Sequence, residues 1–114
     1  MVKEKYIPER GDIIWLTFSP TQGHEQSGRR PALVLSPISY NKLTGLAVVV
    51  PVTKVKKGFN FEIPIVTSKN IGVILSDHVH SLAYEKRGAE YIERASQFVV
   101  EEVCNNIKSL IQVV

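Results

Sequence analysis

A chain of 114 residues has room for one modest core, and an apolar share of 44% with a formal charge of +3 is that of a folded protein rather than a disordered one. The mild basicity permits a polyanionic partner without requiring one. A single cysteine excludes an intrachain disulfide framework, and the longest apolar stretch, Leu46 to Val52, contains Pro51 and is too short to span a bilayer. No apolar secretory core follows Met1-Val2-Lys3-Glu4-Lys5, so a soluble, cytoplasmic protein with one domain over residues 1–114 is expected.

Met1 to Arg10 is polar, with one proline. Asp12 to Phe18 reads as a first strand and Ala32 to Ser36 as a second. Between them, Pro20 to Pro31 has two prolines, two glycines and no apolar period, and reads as a loop. A two-residue turn would suffice for a hairpin, so a dozen residues here imply a working loop. Pro37 to Gly45 reads as a turn or one turn of helix. Leu46 to Thr53 is a continuous apolar run, expected as a central strand buried on both faces, with Pro51 restricting pairing near its end.

Lys54 to Gly58 is a basic turn, either a solvated hairpin tip or a phosphate-steering patch. Phe59 to Val66 alternates apolar and polar residues, and Pro64 within it argues for an edge or a bulge. Gly72 to Leu75 and Val79 to Tyr84 read as further strands. His78 and His80 would then share one side of a strand beside Asp77, a weak divalent site lacking a third ligand.

From Phe98 the period changes to three and four: Val100, Val103, Cys104, Ile107, Leu110, Ile111 and Val114 form one face. Ser96 is a candidate N-cap, and early acidic residues with a late Lys108 suit the helix dipole. This amphipathic helix should serve the core or a dimer contact, with Cys104 a buried structural thiol. Short strands in series plus one terminal helix predict a mainly β fold, a small and strongly curved antiparallel sheet or barrel.

Several motifs run through the whole chain in order. They are G-D-I-I-W at Gly11 to Trp15 and P-T-x-G-x-E-Q-x-G-x-R-P at Pro20 to Pro31. V-L-S-P at Val34 to Pro37, Y-N-K-x-T-G at Tyr40 to Gly45, P-V-T at Pro51 to Thr53, K-G-F-x-F-E at Lys57 to Glu62 and S-D-H-V at Ser76 to Val79 follow. With this spacing the chain resembles the MazF/Kid (PemK) family of toxin ribonucleases. The long loop motif is the specific part; G-D-x-x-W alone would not be.

That resemblance implies an SH3-like barrel, a homodimer, and a toxin of a type II toxin–antitoxin system that cuts single-stranded mRNA. An antitoxin like MazE would hold it inactive through an acidic, disordered segment, and DNA would be met only through that complex. Arg30 matches the family's catalytic arginine, Thr53 its catalytic threonine, and Glu25 an acidic loop residue needed for activity. Asp77 matches an aspartate serving catalysis or base recognition. His24, Gln26, Arg29, Lys54, Lys57 and His78 complete the expected substrate contacts. The chain departs from relatives at Leu75, where some carry arginine, at Lys54, often threonine, and at His78, often glutamine.

The residues themselves allow this chemistry. No phosphate-cradling glycine motif and no serine nucleophile elbow occurs, so neither cofactor nor resident metal is expected. Arg, Thr, Glu, Asp and His suit cleavage in which the RNA 2′-hydroxyl is the nucleophile. Glu25 is the first candidate for the base, with His24 and His78 as rivals. The same fold also serves a toxin that poisons gyrase without an active site, and an inert member could act only in transcriptional autoregulation.

Overall fold

The computed structural model describes residues 5–18, 28–66 and 71–113, Ile71 by its backbone alone. Their order is β1 (Asp12–Thr17), β2 (Arg29–Val34), α1 (Ile38–Thr44), β3 (Leu46–Thr53), β4 (Glu62–Val66), β5 (Ile71–Leu75), β6 (His80–Ala83), β7 (Glu90–Arg94) and α2 (Gln97–Ile111). The strands form one curled antiparallel sheet, ordered β4-β5-β3-β2-β1-β7, with β6 also on β3. The mainly β fold with a strongly curved antiparallel sheet and a C-terminal helix expected from the sequence is thus present, the sheet curling into a half-barrel.

The second strand begins three residues earlier than expected, so Arg29 and Arg30 belong to the sheet and not to the loop. Pro31 is compatible with this. Phe18 N–H donates to the Gly28 carbonyl at 2.8 Å, in the register that pairs Leu16 with Arg30 and Trp15 with Pro31. Hydrogen-bonded pairs therefore fall on even-numbered β1 residues, and Pro31 occupies a non-hydrogen-bonded position towards β1. Its missing N–H faces β3, where pairing starts only at Ala32↔Pro51.

Pro51 obeys the same logic. β3 pairs with β6 over Leu46 to Val49 and with β5 at Val52 and Thr53. Pro51 stands in the gap where the strand changes partner and no donor is needed. The change of partner curls the sheet. Pro64 lies on β4, an edge strand, as its missing donor requires.

Two apolar clusters fill the two faces. Ile13, Leu33, Val50, Val52, Ile63, Ile65 and Ile74 lie on one side, under α2. Ile14, Leu16, Phe18, Ala32, Val34, Ala47 and Val49 lie on the other, with Tyr84 and the N-terminal segment around Tyr6 and Ile7. In α2 only Val103 is fully buried, with Val99, Val100 and Ile107 partly so. Burying one such valine stabilises the fold by about 1.5–3 kcal/mol.

Cys104 corrects the sequence reading: it is exposed. The helix touches the sheet along a stripe narrower than its apolar face, leaving Phe98, Leu110 and Ile111 in solvent too. Ser96 does cap α2, accepting from Val99 N–H at 3.2 Å, and Lys108 lies in the last turn, but the first turn holds no acidic residue. Strand β7 is absent from the sequence reading. Its pairing with β1 shifts between Ile13 and Ile14, a bulge that breaks the alternation a strand shows in sequence.

Two buried polar groups hold the connections. Asp12 accepts from the Tyr6 hydroxyl, from Glu9 N–H at 3.0 Å and from Arg94 at 3.2 Å, which clasps the N-terminal segment and the end of β7 to β1. Burial first, then this bond to Asp12, pushes the Tyr6 phenol well above its usual range. Gly11, just before, has φ +95, a conformation suited to glycine.

Asn41 in α1 is fully buried. Its amide donates to the Pro8 carbonyl at 2.8 Å and the Ser36 carbonyl at 3.1 Å, and accepts from the Ser36 hydroxyl. Its own carbonyl accepts from Tyr84 at 3.0 Å, and Ser36 Oγ accepts Val48 N–H at 2.8 Å. Asn41→Ala strands several of these groups without partners, so we expect a loss of about 2–3 kcal/mol in urea denaturation. A loss below about 0.5 kcal/mol would mean that water replaces the amide without cost.

Candidate active site

In antiparallel pairing the partner numbers sum to a constant, and Ala32↔Pro51 gives the sum for β2 and β3. Carrying that register on by two residues sets Arg30 opposite Thr53. The position is of the non-hydrogen-bonded kind, where side chains approach most closely. Ala32 and Val34, on Arg30's side of β2, belong to the same cluster as Val49 on β3. Arg30 and Thr53 therefore lie at the end of one sheet face, both half-buried.

Thr53 also lines a cleft of about 170 Å³ with Val55, Lys57, Phe59, Phe61, Glu62, Leu75 and His78. Lys54 is exposed in the adjoining loop. His78 is not in a strand, contrary to expectation; β6 begins at His80. His78 sits in the turn after β5, its N–H bonded to Leu75 O at 3.1 Å, while His80 stacks edge-on against Phe18 at 5.2 Å. The two histidines thus have different surroundings, and among the described residues no three His, Cys, Asp or Glu side chains cluster as metal ligands would. Asp77, which lacks an arginine two residues before it, has His78 Nε2 at 3.8 Å from its carboxylate instead.

Gly72 controls where Thr53 sits. A Cβ there would lie 2.5 Å from the Thr53 carbonyl oxygen, closer than contact allows. Only glycine lets β5 approach this closely.

Arg29 goes elsewhere. One residue before Arg30, it points to the opposite face. Its guanidinium donates to the Gly88 carbonyl at 2.7 Å, to the Glu90 carboxylate at 2.9 Å, to Thr17 Oγ1 at 3.3 Å and to the Arg87 carbonyl at 3.4 Å. It fastens the start of β2 to β1 and β7. Glu25, His24 and Gln26 lie outside the described residues. The ends of their loop are pinned by the Phe18–Gly28 bond beside Arg30, with Gly28 at φ +79. A larger cavity of about 470 Å³, lined by Arg10, Leu35, Arg94, Val100 and Cys104 among others, contains none of the expected site residues.

Sequence reasoning misses Phe59 and Phe61 as site residues. Alternation assigns them to a strand, but β4 starts only at Glu62 and the two rings stack on each other at 5.2 Å beside the cleft. A K-G-F-x-F-E motif next to a basic turn is the signal that could have found them.

The family model for the PemK-like, MazF-like toxin of type II toxin–antitoxin systems matches residues 9–111. The endoribonuclease toxin MazF of Escherichia coli K12 is 48% identical over 85 residues, covering 75% of this chain and 77% of that protein. The endoribonuclease PemK of Escherichia coli is 33% identical over 116 residues, covering 97% and 87%. The crystal structure of MazF from Deinococcus radiodurans superposes with a TM-score of 0.91 at 44% identity, over 96% of this chain and all of that one. A MazE–MazF structure from the same organism gives 0.85 at 44% identity over the same shares.

Arg29→Ala should cost about 1 kcal/mol of stability, because several of its contacts are exposed and such pairs contribute little each. Denaturant unfolding measures it; an unchanged midpoint would mean that the four contacts do not hold the start of β2 to β1 and to the chain entering β7.

Proposed function

The chain belongs to the PemK-like, MazF-like toxins of type II toxin–antitoxin systems, and from that premise we propose that it is a sequence-specific endoribonuclease acting on single-stranded mRNA. The relatives named endoribonucleases support this, and the observation that carries it is that Arg30 and Thr53 stand at the same end of the adjacent strands β2 and β3, with Thr53 lining a cleft.

In the mechanism we propose, the 2′-hydroxyl attacks the adjacent phosphorus. The new O2′–P bond forms as the P–O5′ bond breaks. The products are a 2′,3′-cyclic phosphate upstream and a 5′-hydroxyl downstream. The Arg30 guanidinium binds the two non-bridging phosphate oxygens and the Thr53 hydroxyl donates to one of them, which offsets the charge gained in the transition state. Glu25 takes the 2′ proton, with His24 or His78 as the alternative. His24 or His78, whichever is not the base, returns a proton to the leaving oxygen. Lys54 and Lys57 attract the backbone, Gln26 and Asp77 meet bases, and neither metal nor cofactor takes part.

The exposed apolar residues of α2, Phe98, Leu110 and Ile111, support a homodimer. The basic turn supports neutralisation by an acidic antitoxin segment that covers the site, in a cytoplasmic toxin. Light scattering at micromolar concentration should give the dimer mass, and stoichiometric antitoxin should suppress cleavage. A monomer, or a complex cutting at full rate, overturns the corresponding part.

Arg30→Ala should lower the cleavage rate by roughly two orders of magnitude, since losing one such donor costs about 3 kcal/mol in the transition state. Arg29→Ala should lose far less; equal losses in two folded variants would reverse the roles of the two arginines.

An oligonucleotide with one 2′-deoxy substitution 5′ to the cut should bind and not be cleaved. Its cleavage, or a 5′-phosphate on the downstream product, would show attack by water instead.

A further inference from the structure

Asn106 stands where α2 should carry an apolar side chain. Steps of four and then three from Val99 lead through Val103 to Asn106, so the three share the stripe turned to the sheet. Val103 is fully buried there, Val99 partly so, and Asn106 is half-buried. A leucine in its place would bury more apolar area at no polar cost. The amide instead meets another polar group in the same apolar layer. Ser76, just past the end of β5, is fully buried, and its Oγ accepts from Asn106 Nδ2 at 3.4 Å. That is long beside the usual length of about 2.9–3.0 Å, so the bond adds little stability. Two polar side chains meeting across a helix–sheet contact serve placement more than stability.

What the bond places is the turn after β5. Ser76 N–H donates to the Phe61 carbonyl at 3.3 Å, and His78 N–H to the Leu75 carbonyl at 3.1 Å. Asp77 and His78 extend from this turn side by side, the carboxylate 3.8 Å from the imidazole. Leu75 and His78 line the cleft together with Thr53. Beyond them Val79 borders a cavity of about 290 Å³, with Ile107 and Ile111 of α2 among its other walls. Packing between helix and turn is therefore loose at Val79, and the polar tie at Ser76 locates the turn.

Resting on the ribonuclease reading above, we propose that Asn106 is a positioning residue of the reaction. Acting through Ser76, it fixes the turn, and with it where His78 and Asp77 stand relative to Thr53. A misplacement of about 1 Å in such groups lowers a rate by up to roughly 100-fold.

The test is a double-mutant cycle on cleavage, with NMR of the free protein beside it. Asn106→Ala and Ser76→Ala should each lower kcat roughly 10-fold and leave KM within about twofold. The double variant should be no slower than either single, because the same bond is lost in all three. Asn106→Leu completes the apolar stripe, so it should fold at least as stably and still be slow. Asn105→Ala, at the exposed neighbouring position, should cut at the wild-type rate. With no RNA present, Asn106→Ala should shift or broaden the His78 and Asp77 signals, and Asn105→Ala should leave them in place. A wild-type kcat in folded Asn106→Leu would overturn the proposal. So would additive losses in the double variant, unmoved His78 signals, or a lower unfolding midpoint with unchanged kcat, which would reduce the pair to packing. The NMR measurement needs no RNA, so a wild-type protein whose signals respond as expected but which cuts no RNA would refute the ribonuclease reading alone.

Discussion

The register between β2 and β3 is the constraint on which the site depends. Side chains on a strand alternate between faces, so a slip of one residue would send Arg30 and Thr53 to opposite sides of the sheet. The register is held at the far end of the two strands, by the short connection through α1. Leu35 N–H reaches the Val48 carbonyl at 2.8 Å, and Ser36 Oγ takes Val48 N–H. Asn41 holds Ser36 in turn and ties it to Pro8, while Tyr84 closes over its carbonyl. A buried polar cluster with every group satisfied permits fewer arrangements than an apolar plug of the same size. Its contribution is geometric uniqueness as well as stability.

Around that register the neighbouring residues divide the work. Arg29 and Arg30 are adjacent, yet the alternation of the strand gives one to the scaffold and the other to the candidate chemistry. Gly72 lets β5 lie against the Thr53 carbonyl and so sets the wall of the cleft. Glu62 is acidic in a basic neighbourhood, but its oxygens serve the backbone of the turn that carries Lys57 and Phe59. None of these three needs to touch a ligand to determine what the ligand meets.

Much of this was legible in the sequence, for identifiable reasons. The apolar run from Leu46 to Thr53 could be a strand buried on both faces, and it is. Period-four spacing and Ser96 located α2. What stayed hidden depended on tertiary partners. The bulge in β7 destroys the alternation that reveals a strand. Cys104 falls on the apolar face of α2, but how wide a stripe the sheet covers is not written in the helix. The sequence separated Arg30 from Arg29, but the contacts of Arg29 with Thr17, Arg87, Gly88 and Glu90 depend on partners brought together only by the fold. The loop motif around Glu25 was the clearest signal of family.

The change of partner along β3 has a mechanical meaning. Before Pro51 the strand is bonded to β6 and after it to β5, and the proline itself supplies no donor. The sheet is thus two plates joined along a seam, with β4 and β5 on the smaller plate. Paired strands resist bending through their ladders, and at the seam the ladder on the β5 and β6 side is interrupted, while that to β2 runs on through Ala32↔Pro51. Thr53 stands just past that seam, Arg30 on the larger plate and Phe59 on the chain leading into the smaller one. The span between Arg30 and the Phe59–Phe61 stack therefore depends on how the two parts of the sheet are set about that seam.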